Sequence, residues 1–214
     1  MSKLKKAHTK ANPREISPFN GSSSPPGREK LANGLRGLLK TKDFGSITTS
    51  GIAKASGVNE ALIYRYFGNK RGLLHGVLSE HLHKFTQQVT LDLKGIKGGQ
   101  EKLKKLIWST VHFYDQDRIL AKMLVLEVRA HKDYFKSETY RSVKIYSQLI
   151  LDIIQEGISN GEFKSDVSPR YVRQILLGSI EHLLLPAIIH DGLIDVDLVQ
   201  QELCNTLLNG IGKR

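Results

Sequence analysis

Apolar residues recur at helical spacing along most of this chain. Leu31, Leu35, Leu38 and Leu39 form one stripe from Arg28 onward, and Asp43-Phe44-Gly45 ends it. Residues 47–74, ITTSGIAKASGVNEALIYRYFGNKRGLL, predict two short helices joined by a tight turn, then an aromatic segment and a basic helix start. Longer helices follow. One runs from about Arg71 to Leu93. The next carries Leu103, Leu106, Ile107, Val111 and Tyr114, and a third spans about Asp117 to Ala130. A long one holds Val143, Tyr146, Ile150, Ile153 and Gly157 and stops near Asn160-Gly161. Ser168-Pro169 opens another that reaches Asp191-Gly192 and must bend or loosen at Pro186. The last begins near Asp195 and holds Val199, Leu203, Leu207 and Ile211. No stretch alternates apolar and polar for long between turn signals, so the expected fold is all-α, with about nine helices. No internal repeat is visible. Three parts are expected: a disordered basic arm at 1–27, a helix-turn-helix domain at 28–77, and a helical effector-binding and dimerisation domain at 78–214.

The helix-turn-helix reading rests on residue types at fixed places. Thr48 or Thr49 caps the first short helix through its hydroxyl. Ile52 faces the core, and Ala53 is small where a second helix crosses closely. Gly57 sits at the reversal, where a positive φ is needed. Val58 re-enters the core, Asn59 caps the second helix, and Ile63 and Phe67 point inward. Glu60, Ala61, Leu62, Tyr64, Arg65 and Tyr66 then lie wholly or partly on the outer rim. Glu60 suits a cytosine amino group, Ala61 and Leu62 suit thymine methyls, and Arg65 suits guanine or a phosphate. Leu62 reads equally well as core. Tyr64 and Tyr66 suit phosphates, as does Lys70, whose charge opens the next helix beside free backbone N–H groups.

Charge sharpens this picture. Residues 1–77 hold 14 Lys or Arg against 4 Asp or Glu, while residues 78–214 hold 18 against 17. Nearly all of the net +11 therefore lies in the first third, which favours a polyanion on one side and argues against an architectural binder with basic charge spread over the body. Lys3, Lys5, Lys6, Lys10 and Arg14 make the arm cationic, fit either for a minor groove or for no contact at all. No run of 18 or more apolar residues occurs, so no membrane span is expected. The basic N-terminus is followed by no apolar segment that would make it a secretory signal. A single cysteine, Cys204, allows no internal disulfide and fits a reducing cytoplasm. It reads as a small buried residue rather than a redox switch.

The ordered set Thr48-Thr49, Ile52-Ala53, Gly57-Val58, Ile63-Tyr64, Tyr66-Phe67, Lys70 and Leu73-Leu74 resembles the DNA-binding module of the TetR family of transcriptional regulators. The resemblance covers roughly residues 28–77, and the rest matches in helix plan. It implies a homodimer formed by the last two long helices, about 168–190 and 195–211, a palindromic operator in double-stranded DNA, and a small-molecule effector that releases a repressor. It also implies phosphate contacts from Tyr64, Tyr66 and Lys70, and backbone bracing by Thr49 and Ser50. Leu62 stands where the family often has a small or hydroxylated residue, which implies an apolar thymine contact. The body resembles the branch of fatty-acid-degradation regulators through Leu126-Glu127-Val128-Arg129, Tyr146, Gly157-Ile158, Gly161-Glu162-Phe163 and Asp166 before Ser168-Pro169. That implies an apolar or acyl-type effector.

Candidate pocket residues between Leu78 and Ile158 are Phe85, Trp108, His112, Phe113, Met123, Leu124, Glu127, Tyr146 and Ile150, against the alternative that they are ordinary core. Glu127 and Arg129 lie two apart and share no helix face, so one of them is expected to meet a polar ligand group or a buried partner. No metal site and no cofactor are expected: His81 and His83 are two apart, and neither Cys-x-x-Cys nor His-Glu-x-x-His occurs. Catalysis lacks a nucleophile elbow, a phosphate loop or a dinucleotide fingerprint. An acid–base pair of His112 and Glu127 is the only enzymatic alternative.

Overall fold

Leu31, Leu35, Ile52, Ile63, Leu73 and Leu74 have no exposed surface, so the N-terminal helices close a core of their own. The computed structural model describes residues 25–212. Among these, nine α-helices follow one another: α1 Pro26–Leu39, α2 Thr49–Ser56, α3 Ala61–Phe67, α4 Lys70–Asp92, α5 Gly99–Gln116, α6 Arg118–Lys122, α7 Glu138–Ser159, α8 Pro169–His190 and α9 Val196–Ile211. Single turns of other kinds lie between them, a 3-10 turn at Phe44–Ser46, a π turn at Met123–Glu127 and a 3-10 turn at Tyr134–Lys136. The described residues contain no strand, only one bridge joining Phe163 to Gly212. The fold is all-α, as the apolar spacing requires.

Two details differ from the sequence expectation. α1 begins at Pro26, inside the Gly-Ser-Pro stretch expected to be disordered, because a proline at the first helical position loses no hydrogen bond. The remainder of that arm, with its basic residues, lies outside the described residues. The helix expected from Asp117 to Ala130 is α6 followed by the π turn, with Val128 N–H reaching back to the Met123 carbonyl at 3.0 Å. α4 crosses positions 77 and 78 without a break, as the helix expected from about Arg71 to Leu93 requires.

α1, α2, α3 and the first turns of α4 make up the head. The remaining helices form the body, and α4 belongs to both. Small residues set the close crossings. Gly34 of α1 faces Ser56 and the Ile52 carbonyl of α2. A Cβ on Gly76 of α4 would stand 2.9 Å from the Phe67 ring. One on Gly99 at the start of α5 would stand 2.6 Å from Gly157 Cα in α7, and the other side of Gly157 faces the buried Phe163 ring. Glu162, just beyond α7, caps α5. Its two carboxylate oxygens accept from Gly99 N–H at 2.9 Å and Gln100 N–H at 3.0 Å. Those bonds hold its pKa below the usual carboxylate value.

α8 packs Val172, Leu176, Ile180, Leu184 and Ile188 into the body and leaves Tyr171, Ile175, Leu183 and Ile189 bare on its outer side, where Pro186 also sits. α8 is long and apolar enough to cross a membrane, although no unbroken apolar run marks it in the sequence. One of its sides, however, already belongs to the body core. Arg118 ties down its C-terminal end, donating to the carbonyls of Ala187 at 3.1 Å and Gly192 at 2.8 Å. Cys204 is buried in α9, where Gln200 Nε2 donates to its Sγ at 3.1 Å.

Two outcomes are expected. Gly157→Ala overfills the α5–α7 crossing and should cost about 1–3 kcal/mol of unfolding free energy, read from urea titrations. Burial, and then the Arg71 charge, lowers the pKa of His75 below its ordinary 6.5, and burial lowers that of His81. The unfolded chain therefore binds more protons than the native one in that range. Stability should decline as pH falls below about 6.5, visible as a lower urea midpoint at about pH 5 than at about pH 7.5.

Candidate DNA interface

Side-chain oxygens hold backbone N–H groups where the two short helices begin. Thr48 Oγ1 accepts from Gly51 N–H at 3.0 Å to begin α2, leaving Thr49 as its first residue. Gly57 ends α2 at φ +62°, a conformation open to glycine at little cost. Asn59 Oδ1 then accepts from Ala61 N–H at 2.8 Å at the turn into α3. Behind α3, Ile63 is fully buried. In front, Asn59, Ala61, Tyr64 (54% exposed) and Arg65 face outward, with Ser50 exposed at the start of α2. Glu60 and Thr49 are half-buried at the rim of the same surface.

Two rim residues serve mainly as supports. Leu62 is half-buried and packs on the core, its side chain beside Gly27 at the start of α1, so the core alternative describes it better than a free outer position. Tyr66 reaches the same glycine and meets Phe67 edge-on at 6.4 Å, with the Arg65 guanidinium 5.8 Å from its ring centre.

Lys70 requires a correction. Its ammonium was expected to face a phosphate. Instead Nζ donates to the carbonyls of Phe44 at 2.8 Å, Ile47 at 2.6 Å and Gly45 at 3.4 Å, and lies 4.4 Å from the Phe44 ring centre. An ammonium has three donors, and all three are engaged. Burial, followed by the Arg71 charge, lowers its pKa. The side chain ties the 3-10 turn between α1 and α2 to the first turn of α4. At that turn Asn69 caps Gly72 N–H at 2.8 Å, and the preceding amides of Lys70 and Arg71 remain the groups suited to an anion. No short-range pattern could have announced this role, since Lys70 and Phe44 are 26 residues apart.

The expected pocket residues divide into three groups. Phe85 of α4, Phe113 of α5 and Tyr146 of α7 converge, with ring centres 4.2 Å apart for Phe85–Phe113 and 5.0 Å for Phe85–Tyr146. His81 stacks on Phe113 at 4.6 Å. Met123, Leu124 and Ile150 are buried in the same core. Tyr146 OH meets Thr110, which itself donates to the Leu106 carbonyl, and burial raises the tyrosine pKa. Trp108 and His112 form a separate pair, stacked at 4.7 Å, and Trp108 Nε1 donates to Asp197 of α9 at 2.8 Å. Trp108 borders a surface groove of about 480 Å³ with Lys97, Lys105 and Gln200, away from the aromatic cluster. Glu127 faces neither place. It pairs with Arg71 at 2.9 Å, while His112 stacks on Trp108. Among the described residues no group of three or more His, Cys, Asp or Glu is placed to hold a metal.

Residues 33–77 match the family model described as bacterial regulatory proteins of the tetR family, and residues 78–210 match that of the C-terminal region of YsiA-like proteins. The chain belongs to the TetR family. It is a helix-turn-helix transcriptional regulator. The fatty acid metabolism regulator protein of Bacillus subtilis is 28% identical to this TetR regulator over 162 residues, 76% of this chain and 84% of that one. The solved structure of FadR from B. subtilis in complex with stearoyl-CoA has a TM-score of 0.78 and 25% identity, covering 86% of this chain and 98% of that one. The fatty acid degradation regulator FadR of Bacillus halodurans shares the fold with a TM-score of 0.79 at 23% identity, over 90% of this chain and 100% of that one.

Lys70→Ala should loosen the α1–α2 turn and lower stability by about 1–2 kcal/mol, measured by chemical denaturation.

Proposed function

We propose that this TetR regulator binds a palindromic operator as a homodimer, represses transcription, and is released by a long-chain acyl thioester. The observation that carries the DNA half is the outward face of Asn59, Ala61, Tyr64 and Arg65 on a helix whose back, Ile63, is fully buried. A short helix braced behind and bare in front fits a major groove, with Tyr64 and Arg65 toward phosphates or base edges. Ser50 and the amides opening α4 suit the flanking backbone, and Lys70 contributes by holding the head rigid. The bare apolar side of α8, from Tyr171 to Ile189, supports pairing of two copies through α8 and α9, which would set two heads on one duplex. The acyl half is supported by the likeness to a regulator solved with stearoyl-CoA, and by an interior where Phe85, Phe113 and Tyr146 converge beside Met123 and Leu124.

Duplexes selected from a random pool by the purified protein should share an inverted repeat. Affinity for the selected duplex should fall steeply with salt, because phosphate contacts release counterions. Tyr64→Ala should weaken binding about 10- to 150-fold across sequences, the size of one lost charge-assisted contact. Stearoyl-CoA should weaken binding of the unmodified protein. A salt-independent isotherm, or selection of unrelated sequences, would refute the DNA reading, and indifference to stearoyl-CoA would refute the effector reading.

A further inference from the structure

The head and body share α4, and a second connection crosses between them. Arg71 lies in the first turn of α4, and its Nη2 donates to Oε1 of Glu127, 56 residues away at the end of the π turn. Both side chains are 30% exposed, so water only partly screens the pair. The Arg71 guanidinium also lies 5.4 Å from the Phe44 ring centre, on the aromatic side chain that Lys70 uses to brace α2. Glu127 thus holds the hub on which the reading helices are mounted.

The pair is one-sided. Arg71 Nη1 is buried without a hydrogen-bond partner, although a guanidinium and a carboxylate can join through two parallel bonds. Two residues further on, Arg129 uses both. Its Nη1 and Nη2 donate to Glu181 of α8 at 2.6 and 2.7 Å, and Tyr114 OH donates to the same carboxylate at 3.1 Å. Burial opposes the Arg129 charge, but the hydrogen bond and charge of Glu181 more than offset it and leave its pKa raised. Residues two apart on a helix face different sides. The segment 123–129 therefore grips the head with one charge and α8 with the other, while Met123 and Leu124 lie in the core.

The form of that segment matters. A π turn holds one residue more than an α turn, is rare, and tends to occur where a helix must change shape. Its reversion to α geometry would carry the residues beyond it through about 100° and about 1.5 Å, one helical step. A shift of that size is larger than a single hydrogen bond between Arg71 and Glu127 can follow.

We propose that Glu127 is a positioning residue for DNA binding: acting through Arg71, it fixes the orientation of the head on the body, and rearrangement of the π turn releases it. The regulatory meaning rests on the reading of the chain as an effector-released operator binder, whereas the positioning role does not.

The test separates the two. Spin labels at Lys42→Cys in the head and Lys97→Cys in the body, in a Cys204→Ser background diluted with unlabelled protein, report the head–body distance within one protomer. Glu127→Gln should broaden that distance distribution, and the charge-reversed pair Arg71→Glu with Glu127→Arg should narrow it again, which loss of a merely structural side chain would not do. An unchanged distribution in Glu127→Gln overturns the proposal. On the selected duplex, the factor by which stearoyl-CoA weakens binding should shrink about two- to fivefold in Glu127→Gln, the range expected of one partly exposed charged pair. If the unmodified protein ignores stearoyl-CoA, the effector reading fails and the label distances still decide the role of Glu127.

Discussion

The molecule depends on one helix satisfying two packing demands at once. The 23 residues of α4 begin in the head, where Leu73 and Leu74 close its core, and end in the body, where Leu82 and Val89 are buried. A helix transmits rotation along its axis with little loss, so whatever fixes α4 in the body also aims α3. That anchor is a polar seam with α7. His75 Nδ1 and Thr139 Oγ1 are hydrogen-bonded at 2.9 Å, and Thr139 Oγ1 also lies 3.3 Å from the His75 carbonyl oxygen. One turn on, Ser79 and Ser142 join at 2.8 Å. Hydrogen bonds are directional where apolar contacts slide, so these pairs set the register of α4 on α7 more sharply than leucines alone.

The head is basic, yet many of its polar groups face inward or along the chain. Thr48 and Asn69 cap helices, Asn59 accepts from Ala61 N–H at the turn into α3, and Lys70 holds three carbonyls. The proposed contact with a nucleic acid draws on a small set on α3, with Ser50 and the amides that open α4. This division makes physical sense: base readout requires side chains held to within a fraction of an ångström, and that rigidity comes from satisfied backbone groups behind them.

Local pattern made much of this visible. The cap at Thr48, the reversal at Gly57, the inward Ile63 and the long helices all follow from residue types and spacings that act over one or two turns. Long-range pairings left no such trace. The Lys70, Arg71 and Glu162 partners lie 26, 56 and 62–63 positions away. An amphipathic stripe also cannot say which neighbour it meets, which is why Trp108 and His112 turned toward α9 while Phe113, on the same helix, joined Phe85. The π turn escaped for a related reason. One extra residue in a helix leaves the apolar spacing nearly intact, so the segment from Asp117 onward reads as continuous.

The carboxylate that caps α5 has a consequence for synthesis. α5 leaves the ribosome with its opening amides unanswered, and Gly99 waits for the glycine of α7 that it must touch. Both arrive only when Gly157 and Glu162 emerge, some sixty residues later. The head, whose contacts are short in sequence, can mature early. The body has to hold α5 provisionally until most of the chain is out, and in that interval its apolar side is open to chaperones and to unwanted partners.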